Sequence, residues 1–288
     1  MSKRVAVAIV HGVGVEDPDF AAGMSRELTH EFADAVGIDR AEAAGELIIE
    51  PVHWAPVLQG AQSRLWRKVS ARRDLDLVEL RKYILDFAGD AIAYQPTPHG
   101  REAYDTVHAV LAESLRTLAR TAGNRAPLCV IAHSLGTIIS SNYLYDLSQR
   151  RRRGMVSRAV RDVKKDTPLE NGDTLTLFYT MGSPMAVWSL RFEGFGLPIT
   201  VPATDLGTHH PGLEGEWVNF YDPDDVIGYP LRPLNDAYER SVAKDVAVNV
   251  GGVLTSWNPL SHGGYWADAD VIRPIARSLA RVWSHINA

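Results

Sequence analysis

The chain has 288 residues, 45% of them hydrophobic and 23% charged, a composition that indicates a globular protein with a packed core and excludes a disordered or fibrous one. The formal net charge is −5, so the chain has no general attraction for phosphate backbones, and we expect no nucleic-acid partner. The single cysteine, Cys129, excludes an intrachain disulfide framework and a multi-cysteine zinc site.

Six short segments rich in β-branched residues predict strands, and helical patterns lie between most of them. The segments run from Val5 to Val10, Leu47 to Val52, Leu128 to Ala132, Thr174 to Thr180, Glu216 to Tyr221 and Val246 to Val250. Continuous apolar strands separated by helices are typical of parallel pairing with both faces of the sheet covered. The sequence therefore predicts an α/β fold with a doubly wound, mostly parallel sheet, whose ligands bind at the carboxyl ends of the strands.

Two long intervals between predicted strands indicate insertions within a single domain that spans residues 1–288. The first, at about 53–126, is too long for one crossover and predicts a helical cap. It includes a basic amphipathic helix around Trp66 and a longer helix from Glu102 to Arg120. The second, at about 183–215, is rich in Gly, Pro and large apolar residues such as Trp188, and it predicts an ordered loop.

The helix around Trp66 has two interpretations. Its apolar face either covers the protein beneath it, which we expect, or contacts a lipid interface. No stretch of the chain reaches the roughly 18 uninterrupted apolar residues of a spanning helix, and we expect a cytoplasmic protein.

The most informative segment is the apolar run from Leu128 to Ala132, followed by His133, Ser134 and an apolar helical pattern. This order predicts a strand that turns sharply into a helix, with the serine on the turn and its hydroxyl near the positive end of the helix. Such a turn requires small neighbours, and Ala132 and Gly136 supply them. Ser134 is therefore a candidate nucleophile, whereas the alternative is a serine that only caps the helix.

A serine nucleophile requires a base and an orienting carboxylate, in the chain order Ser, Asp, His when the serine lies on such a turn. Three carboxylates follow the fifth predicted strand, namely Asp222, Asp224 and Asp225, and each is a candidate acid. His262 lies beside two glycines after the sixth predicted strand and is the candidate base.

These segments resemble the α/β-hydrolase family, and lipase- or esterase-like members in particular. The family has glycine two positions on either side of its nucleophile. This chain has Ala132 in the first place, a variant that looks like that of some bacterial lipases. The stretch from Asn219 to Leu234 is similar to the acid loop of intracellular phospholipase and lipase-like members, and this similarity implies Asp225 as the acid.

Two further segments carry the resemblance. Ser-His-Gly-Gly-Tyr-Trp, from Ser261 to Trp266, looks like the histidine loop of the same group and implies His262 as the base. The segment from His11 to Gly14 follows the first strand as the lipase-type His-Gly loop does, which implies oxyanion donors at the N–H groups of Val13 and Leu135.

The resemblance implies a serine hydrolase that cleaves carboxylic esters with no cofactor and no metal. We expect a small-molecule acyl ester of medium or long chain, because the insertions are apolar, in a pocket formed by His11, Gly12, His133 and Trp188. The alternatives are a thioesterase, amidase or acyltransferase that uses the same triad, and a non-catalytic ligand-binding protein on a hydrolase scaffold.

Two other kinds of site are disfavoured. Dinucleotide binding by the first glycine loop lacks the third glycine and the later ribose-binding acid. The neighbouring His209 and His210 lack a third ligand at metal spacing. Oligomeric state has no signal in the sequence.

Overall fold

The structure is a computed structural model that describes residues 3–14, 17–71, 76–97, 100–152, 154–191, 196–250 and 259–288. Six strands lie within these ranges: β1 (Val5–Val10), β2 (Leu47–Val52), β3 (Leu128–His133), β4 (Leu175–Met181), β5 (Glu216–Tyr221) and β6 (Lys244–Ala247). They form one sheet in the order β2-β1-β3-β4-β5-β6, and every described pairing is parallel. The predicted α/β fold with a parallel sheet is confirmed.

Helices connect these strands. They are α1 (Ala22–Val36), α2 (Arg40–Glu46), α3 (Pro56–Ser70), α4 (Val78–Tyr94), α5 (Glu102–Thr121), α6 (Leu135–Ser148), α7 (Arg158–Val163), α8 (Met185–Trp188), α9 (Leu206–His209), α10 (Asp236–Ser241) and α11 (Ala269–Asn287). Short 3-10 turns lie at Ser189–Arg191, Arg232–Leu234 and Pro259–Trp266. In the described part of the chain, no helix is both long and apolar enough to cross a bilayer.

Several helices begin where a polar side chain satisfies the first free backbone N–H groups. The Asp268 carboxylate accepts from the Asp270 N–H at 2.7 Å, and the Asn235 side chain accepts from the Ala237 and Tyr238 N–H groups at 2.9 and 3.0 Å. Such a cap contributes about 1 kcal/mol to helix stability. These caps fix where α10 and α11 start.

The two faces of the sheet are buried in separate hydrophobic cores. Alternate residues of β1 belong to different cores: Ala6, Ala8 and Val10 pack with residues of α5 and α6, whereas Val5, Val7 and Ile9 pack with residues of α1 and α11. Helix α11 buries apolar residues at helical spacing, including Val271, Ile275, Leu279, Val282 and Ile286. Burying one such side chain contributes about 1.5–3 kcal/mol. Helices on both faces make the sheet doubly wound.

The helices between β2 and β3 differ in what they pack against. Helix α5 contacts β1, β2 and α6, so it covers the sheet, whereas α3 and α4 pack on each other and on α5. Exposed apolar side chains lie on this pair, among them Leu65 on α3 and Ile84 and Ile92 on α4. The stretch predicted as a cap therefore contains one sheet-covering helix and one pair of outer helices.

The last strand lies earlier in the chain than the predicted Val246–Val250 segment. Pairing with β5 starts at Lys244 and ends at Ala247, because Val248 and Val250 then donate their N–H groups to Tyr221 O and to the Asp222 carboxylate. A polar start is compatible with an edge strand, which has one open side. The apolar pattern thus marked the turn after the strand as well as the strand.

The strand order changes direction at β1, because β2 lies on one side of it and β3 on the other. Chains that leave the carboxyl ends of two such strands diverge and leave a crevice, which is where ligands bind in open α/β sheets. The two segments that border this crevice are His11–Gly14 after β1 and Ser134 after β3. The fold alone thus identifies the predicted nucleophile segment as a place to look for a site.

Candidate active site

Ser134 lies on a strained turn between β3 and α6. Its backbone has φ 52° and ψ −129°, and positive φ is rare for a residue with a side chain. Such a conformation costs on the order of 1–3 kcal/mol and persists only where neighbouring structure enforces it. Here the Ser134 N–H donates to Met181 O at 3.0 Å, and the Thr137 hydroxyl donates to Ser134 O at 2.7 Å.

Two glycines allow this turn to lie against the end of β1. A Cβ added to Gly12 would lie 2.6 Å from Ser134 Cβ, and a Cβ added to Gly136 would overlap His11 O. Real Cβ atoms do not approach so closely, so a side chain at either position requires the backbone to move. The predicted need for a small residue at Gly136 thus has its cause in the contact between α6 and the segment after β1.

His262 and Asp225 form a buried pair at the carboxyl edge of the sheet. His262 Nδ1 lies 2.8 Å from Asp225 Oδ2, and the two residues are 4% and 5% exposed. Because a carboxylate accepts this hydrogen bond, Nδ1 carries the proton, and a neutral ring has its lone pair at Nε2. The ring is thereby oriented to accept a proton at Nε2.

Asp225 accepts two further hydrogen bonds. The Tyr265 hydroxyl donates to the same oxygen, Oδ2, at 2.9 Å, and the Ile227 N–H donates to Oδ1 at 3.0 Å. Burial by itself raises the pKa of Asp225, but the hydrogen bond and charge of His262 and the donors of Ile227 and Tyr265 hold that pKa below its usual value. The carboxyl group therefore stays ionised beside the imidazole.

The other two candidate acids are directed elsewhere. The Asp222 carboxylate accepts from the Asp224 N–H and from the Val250 N–H, each at 2.8 Å. The Asp222 N–H donates to Tyr265 Oη at 2.8 Å, while the Asp224 side chain is exposed. Of the three carboxylates, the structure brings only that of Asp225 to His262.

Two polar atoms at this edge have no partner among the described residues: Ser134 Oγ and His262 Nε2. An unpaired buried polar atom costs about 1–3 kcal/mol, so it is rare without a reason. Both residues neighbour His133, whose ring centroid lies 4.6 Å from that of His262. Ser134 is 0% exposed, so a substrate reaches its hydroxyl only after neighbouring groups move.

His11 fixes the backbone of the predicted oxyanion loop. Its Nε2 accepts from the Trp54 N–H at 3.1 Å, so its Nδ1 carries a proton and donates to Gly12 O at 2.6 Å. Burial lowers the pKa of His11 to about 3, which keeps the ring neutral. In a trans peptide the C=O and the following N–H point in opposite directions, so the Val13 N–H points away from His11.

The second predicted oxyanion donor, Leu135, is the first residue of α6. The first N–H groups of a helix have no partner within it, so the helix itself does not use the N–H of Leu135. Gly136, the next residue, lies against His11 O. The start of α6 and the loop after β1 are therefore neighbours.

His133 and Trp188, both predicted in the pocket, occupy different surroundings. His133 is buried, and its Nε2 donates to His262 O at 2.6 Å, which ties the base loop to the nucleophile turn. Burial and the neighbouring His262 lower the pKa of His133 to about 3. Trp188 is partly buried at the end of α8 and packs against the core that contains Leu135.

The sequence did not predict two groups that hold the acid and its loop in place. The resemblance included Tyr265 only as part of the histidine loop, whereas its hydroxyl donates a hydrogen bond directly to the acid, Asp225. Asn219, a polar residue inside the apolar β5, donates to the Asp245 carboxylate at 2.8 Å and to Tyr229 O at 3.0 Å. Asp245 also accepts from the Leu231 N–H at 2.9 Å, so the two residues hold the acid loop on the sheet. The sequence feature that could have indicated this role is the polar side chain of Asn219 in the middle of an apolar strand.

In the described ranges, no three His, Cys, Asp or Glu side chains are arranged to hold a metal ion, and this includes the surroundings of His209 and His210. The candidate site contains a serine hydroxyl, an imidazole oriented by a carboxylate, and the start of helix α6.

Comparisons with known proteins give a distant structural likeness. No protein-family model and no curated protein matches the chain. Among solved structures, the chain is similar to the esterase domain of a Rhodothermus marinus protein, with 11% identity and a TM-score of 0.34 over 95% of this chain and 86% of that one. A likeness at this TM-score carries no argument about activity.

Proposed function

We propose that the protein is a serine hydrolase of the α/β-hydrolase superfamily that cleaves carboxylic esters. The nucleophile is Ser134, the base is His262 and the acid is Asp225. One observation carries the proposal: a serine on a strained turn and an imidazole held by a buried carboxylate each present an unpaired buried atom at the same edge of the sheet.

The proposed reaction has two halves. Ser134 Oγ attacks the acyl carbonyl while His262 Nε2 takes the hydroxyl proton, and the same proton then passes to the departing alkoxide. Water next attacks the acyl-enzyme, gives one proton to His262 and releases the carboxylic acid as Ser134 recovers its proton. Asp225 stabilises the imidazolium that forms in each half.

The carbonyl oxygen gains negative charge in both halves. We assign its stabilisation to the N–H groups of Val13 and Leu135, because the His11 hydrogen bond to Gly12 O directs the Val13 N–H away from His11, and Leu135 is the first residue of α6. One such donor is worth roughly 2.7–4 kcal/mol in the transition state.

We assign the helical cap of this single domain to α3 and α4, which pack on each other and on α5. Apolar residues of the cap and of the 183–215 insertion favour a medium or long acyl chain. Because Ser134 is fully buried, opening of the site precedes substrate binding.

Active-site labelling tests the nucleophile. A fluorophosphonate probe is expected to label the wild-type protein and to leave Ser134→Ala unlabelled. Ser140→Ala is the matched control. Ser140 is a buried serine in α6, the helix that follows Ser134, and its hydroxyl also has no partner among the described residues. Folded wild-type protein that fails to label, or Ser134→Ala that still labels, contradicts the proposal.

Replacing each carboxylate tests the acid. Asp225→Asn is expected to lower kcat by roughly 10³–10⁴-fold, because an amide no longer holds the imidazole in the correct tautomer. Asp224→Asn is expected to keep activity, since that side chain is exposed. Loss of activity in Asp224→Asn alone is the opposite result and means that the acid is misassigned.

Turnover of ester, thioester and amide substrates of equal chain length tests which type of acyl bond the protein cleaves. We expect esters to be cleaved fastest, since an alkoxide leaves more easily than an amine, and kcat/KM to rise beyond short acyl chains. A preference for thioesters at every length favours the thioesterase alternative, and tight binding without turnover favours a ligand-binding protein.

A further inference from the structure

A basic cavity lies at the amino edge of the sheet. Its volume is about 840 Å³, and its lining includes Lys3, Arg4, Arg125, His209 and His210. These ionisable side chains are all basic, and among the described residues no carboxylate lines the cavity. The volume lies within the range of small-molecule sites, roughly 300–1,000 Å³.

Among the described residues, the three permanent cations of this basic cavity have no carboxylate partner in a salt bridge. In the described part of the chain, none of Lys3, Arg4 and Arg125 forms a salt bridge. Arginines elsewhere in the protein do form salt bridges with carboxylates, for example Arg101, Arg150 and Arg273. The protein carries a net charge of −5, so an uncompensated cluster of positive charge is not a consequence of a basic chain. The cluster therefore offers binding free energy to an anion.

Hydrogen bonds fix the Arg4 and His210 side chains and the backbone of Lys3 and Arg125 around the cavity. Arg4 donates one guanidinium N–H to Thr121 O at 2.6 Å, which leaves its other N–H groups available. The Lys3 N–H donates to the Asn287 side chain at 2.7 Å. The His210 Nε2 donates to Arg125 O at 2.6 Å and so joins α9 to the segment before β3.

The environment of His210 reflects the crowding of positive charge. Burial lowers the pKa of His210 and its hydrogen bond to Arg125 O opposes this effect, while the charges of His209, Lys3 and His285 lower the pKa further. An anion in the cavity relieves this repulsion.

The basic cavity is separate from the candidate active site. It borders the residues just before β1 and β3, whereas Ser134 follows the other end of β3. Six residues of strand separate the two ends, a distance of about 20 Å. A ligand bound in the cavity therefore does not contact the proposed nucleophile.

We propose that the basic cavity is a second ligand site, which binds a small molecule carrying two or more phosphate groups. Arginine matches phosphate oxygens with paired N–H donors, and the cavity presents two arginines and a lysine to one ligand. Three fixed positive charges favour a multiply charged ligand over a single phosphate, and the volume exceeds what one phosphate fills.

Calorimetric titration of the 288-residue chain with inorganic pyrophosphate at low ionic strength tests this site. We expect saturable binding at one site, and at least a tenfold weaker association in the Arg4→Gln, Arg125→Gln double variant. Both arginines are exposed, so the variant is expected to fold, and its melting temperature checks this. The matched control is the Arg26→Gln, Arg277→Gln double variant, which removes two exposed arginines outside the cavity and is expected to bind as the wild type does.

Several results overturn the proposal. They are the absence of saturable binding, equal binding by the wild type and the Arg4→Gln, Arg125→Gln variant, and reproduction of the whole heat signal by sodium chloride at matched ionic strength. Equal affinity for citrate overturns the assignment to phosphate. Ser134→Ala is expected to bind pyrophosphate as the wild type does, so this test stands apart from the proposed hydrolase activity.

Discussion

At the scale of single residues, the Asp225 carboxylate has more donors than its role as partner of His262 requires. Tyr265 gives the same oxygen a second hydrogen bond while accepting one from the Asp222 N–H. This hydroxyl links the base loop to the acid loop at both of its hydrogen-bonding positions. It therefore fixes where the carboxylate lies and also stabilises its charge.

Replacing Tyr265 with phenylalanine removes that hydroxyl and retains the ring. A hydrogen bond to a charged group is worth about 1.5–3 kcal/mol, so we expect kcat/KM to fall by roughly 10- to 150-fold, less than in Asp225→Asn. Loss of a donor to the ionised form raises the pKa of Asp225, so we expect that pKa, measured by NMR titration of the carboxyl group, to be higher than in the wild type.

Tyr229→Phe is the control for this prediction, because its hydroxyl donates to Val226 O in the same loop and does not touch Asp225. We expect the Asp225 pKa in this control to match that of the wild type. A lower rate in Tyr265→Phe with an unchanged Asp225 pKa means that the hydroxyl only supports packing.

At the scale of elements, the close approach of α6 to the end of β1 brings the proposed nucleophile and oxyanion loop together. Gly136→Ala adds one methyl group that overlaps His11 O and lies 2.9 Å from Val10 O. Both neighbours are backbone atoms, so the helix start has to shift, and overpacking of this kind costs about 1–3 kcal/mol. We expect the free energy of unfolding, measured in urea, to fall by that amount and kcat/KM to fall by at least about tenfold.

Gly45→Ala is the matched control. Gly45 lies in α2, and an added Cβ has no heavy atom within 4 Å. Alanine there is expected to stabilise the protein by about 0.5–1 kcal/mol, as it does inside helices, with activity unchanged. If Gly136→Ala behaves in the same way, the contact between α6 and the segment after β1 does not position the site.

A double variant on the exposed face of α3 tests the two interpretations of the helix around Trp66. Leu65 and Val69 are 47% and 41% exposed, and Arg67 and Lys68 lie in the last turn of the same helix. We expect the Leu65→Ala, Val69→Ala variant to hydrolyse monomeric and micellar esters at wild-type rates, because exposed side chains contribute little packing. A loss confined to micellar substrate instead identifies α3 as a lipid contact.

How well each element could be predicted depends on what fixes it. Strands β1, β2 and β5 have the predicted bounds, because their apolar runs end where the buried sheet ends. The pairing of β6 starts two residues before the predicted segment, because the register of an edge strand is set by β5 and not by its own pattern. The packing of α5 on the sheet and of α3 on α4 is a tertiary property that periodicity does not contain.

At the scale of the whole molecule, chain order made the meeting of distant residues predictable, because the carboxyl ends of parallel strands share one edge of the sheet. Ser134, Asp225 and His262 follow β3, β5 and β6 in that way. Which of three neighbouring carboxylates faces the imidazole depends on loop geometry. The residue pattern left all three as candidates, and only the resemblance to the family's acid loop implied Asp225. The basic cavity joins residues 3 and 4 to residues 125, 209 and 210, and no local pattern indicates such a junction.

Buried neutral histidines couple the stability of the whole protein to pH. Burial lowers the pKa of His11 and that of His133 to about 3, whereas both rings titrate near the ordinary 6.5 when the chain unfolds. Below pH 6.5 the unfolded chain therefore binds protons that the folded chain does not. The stabilisation is complete above pH 6.5 and is lost as the pH falls towards 3, by up to about 1.4 kcal/mol per pH unit for each ring.

We expect the free energy of unfolding, measured in urea at a series of pH values between about 6 and 4, to fall less steeply in His133→Gln than in the wild type. The difference in slope is expected to approach 1.4 kcal/mol per pH unit, because the variant has one fewer group that takes up a proton on unfolding. Glutamine still offers an N–H to His262 O, the partner of the His133 ring. His30→Gln is the control for replacing a histidine at a partly exposed position. Equal slopes in all three proteins mean that His133 takes up a proton in the folded state, and that its buried hydrogen bond does not hold the ring neutral.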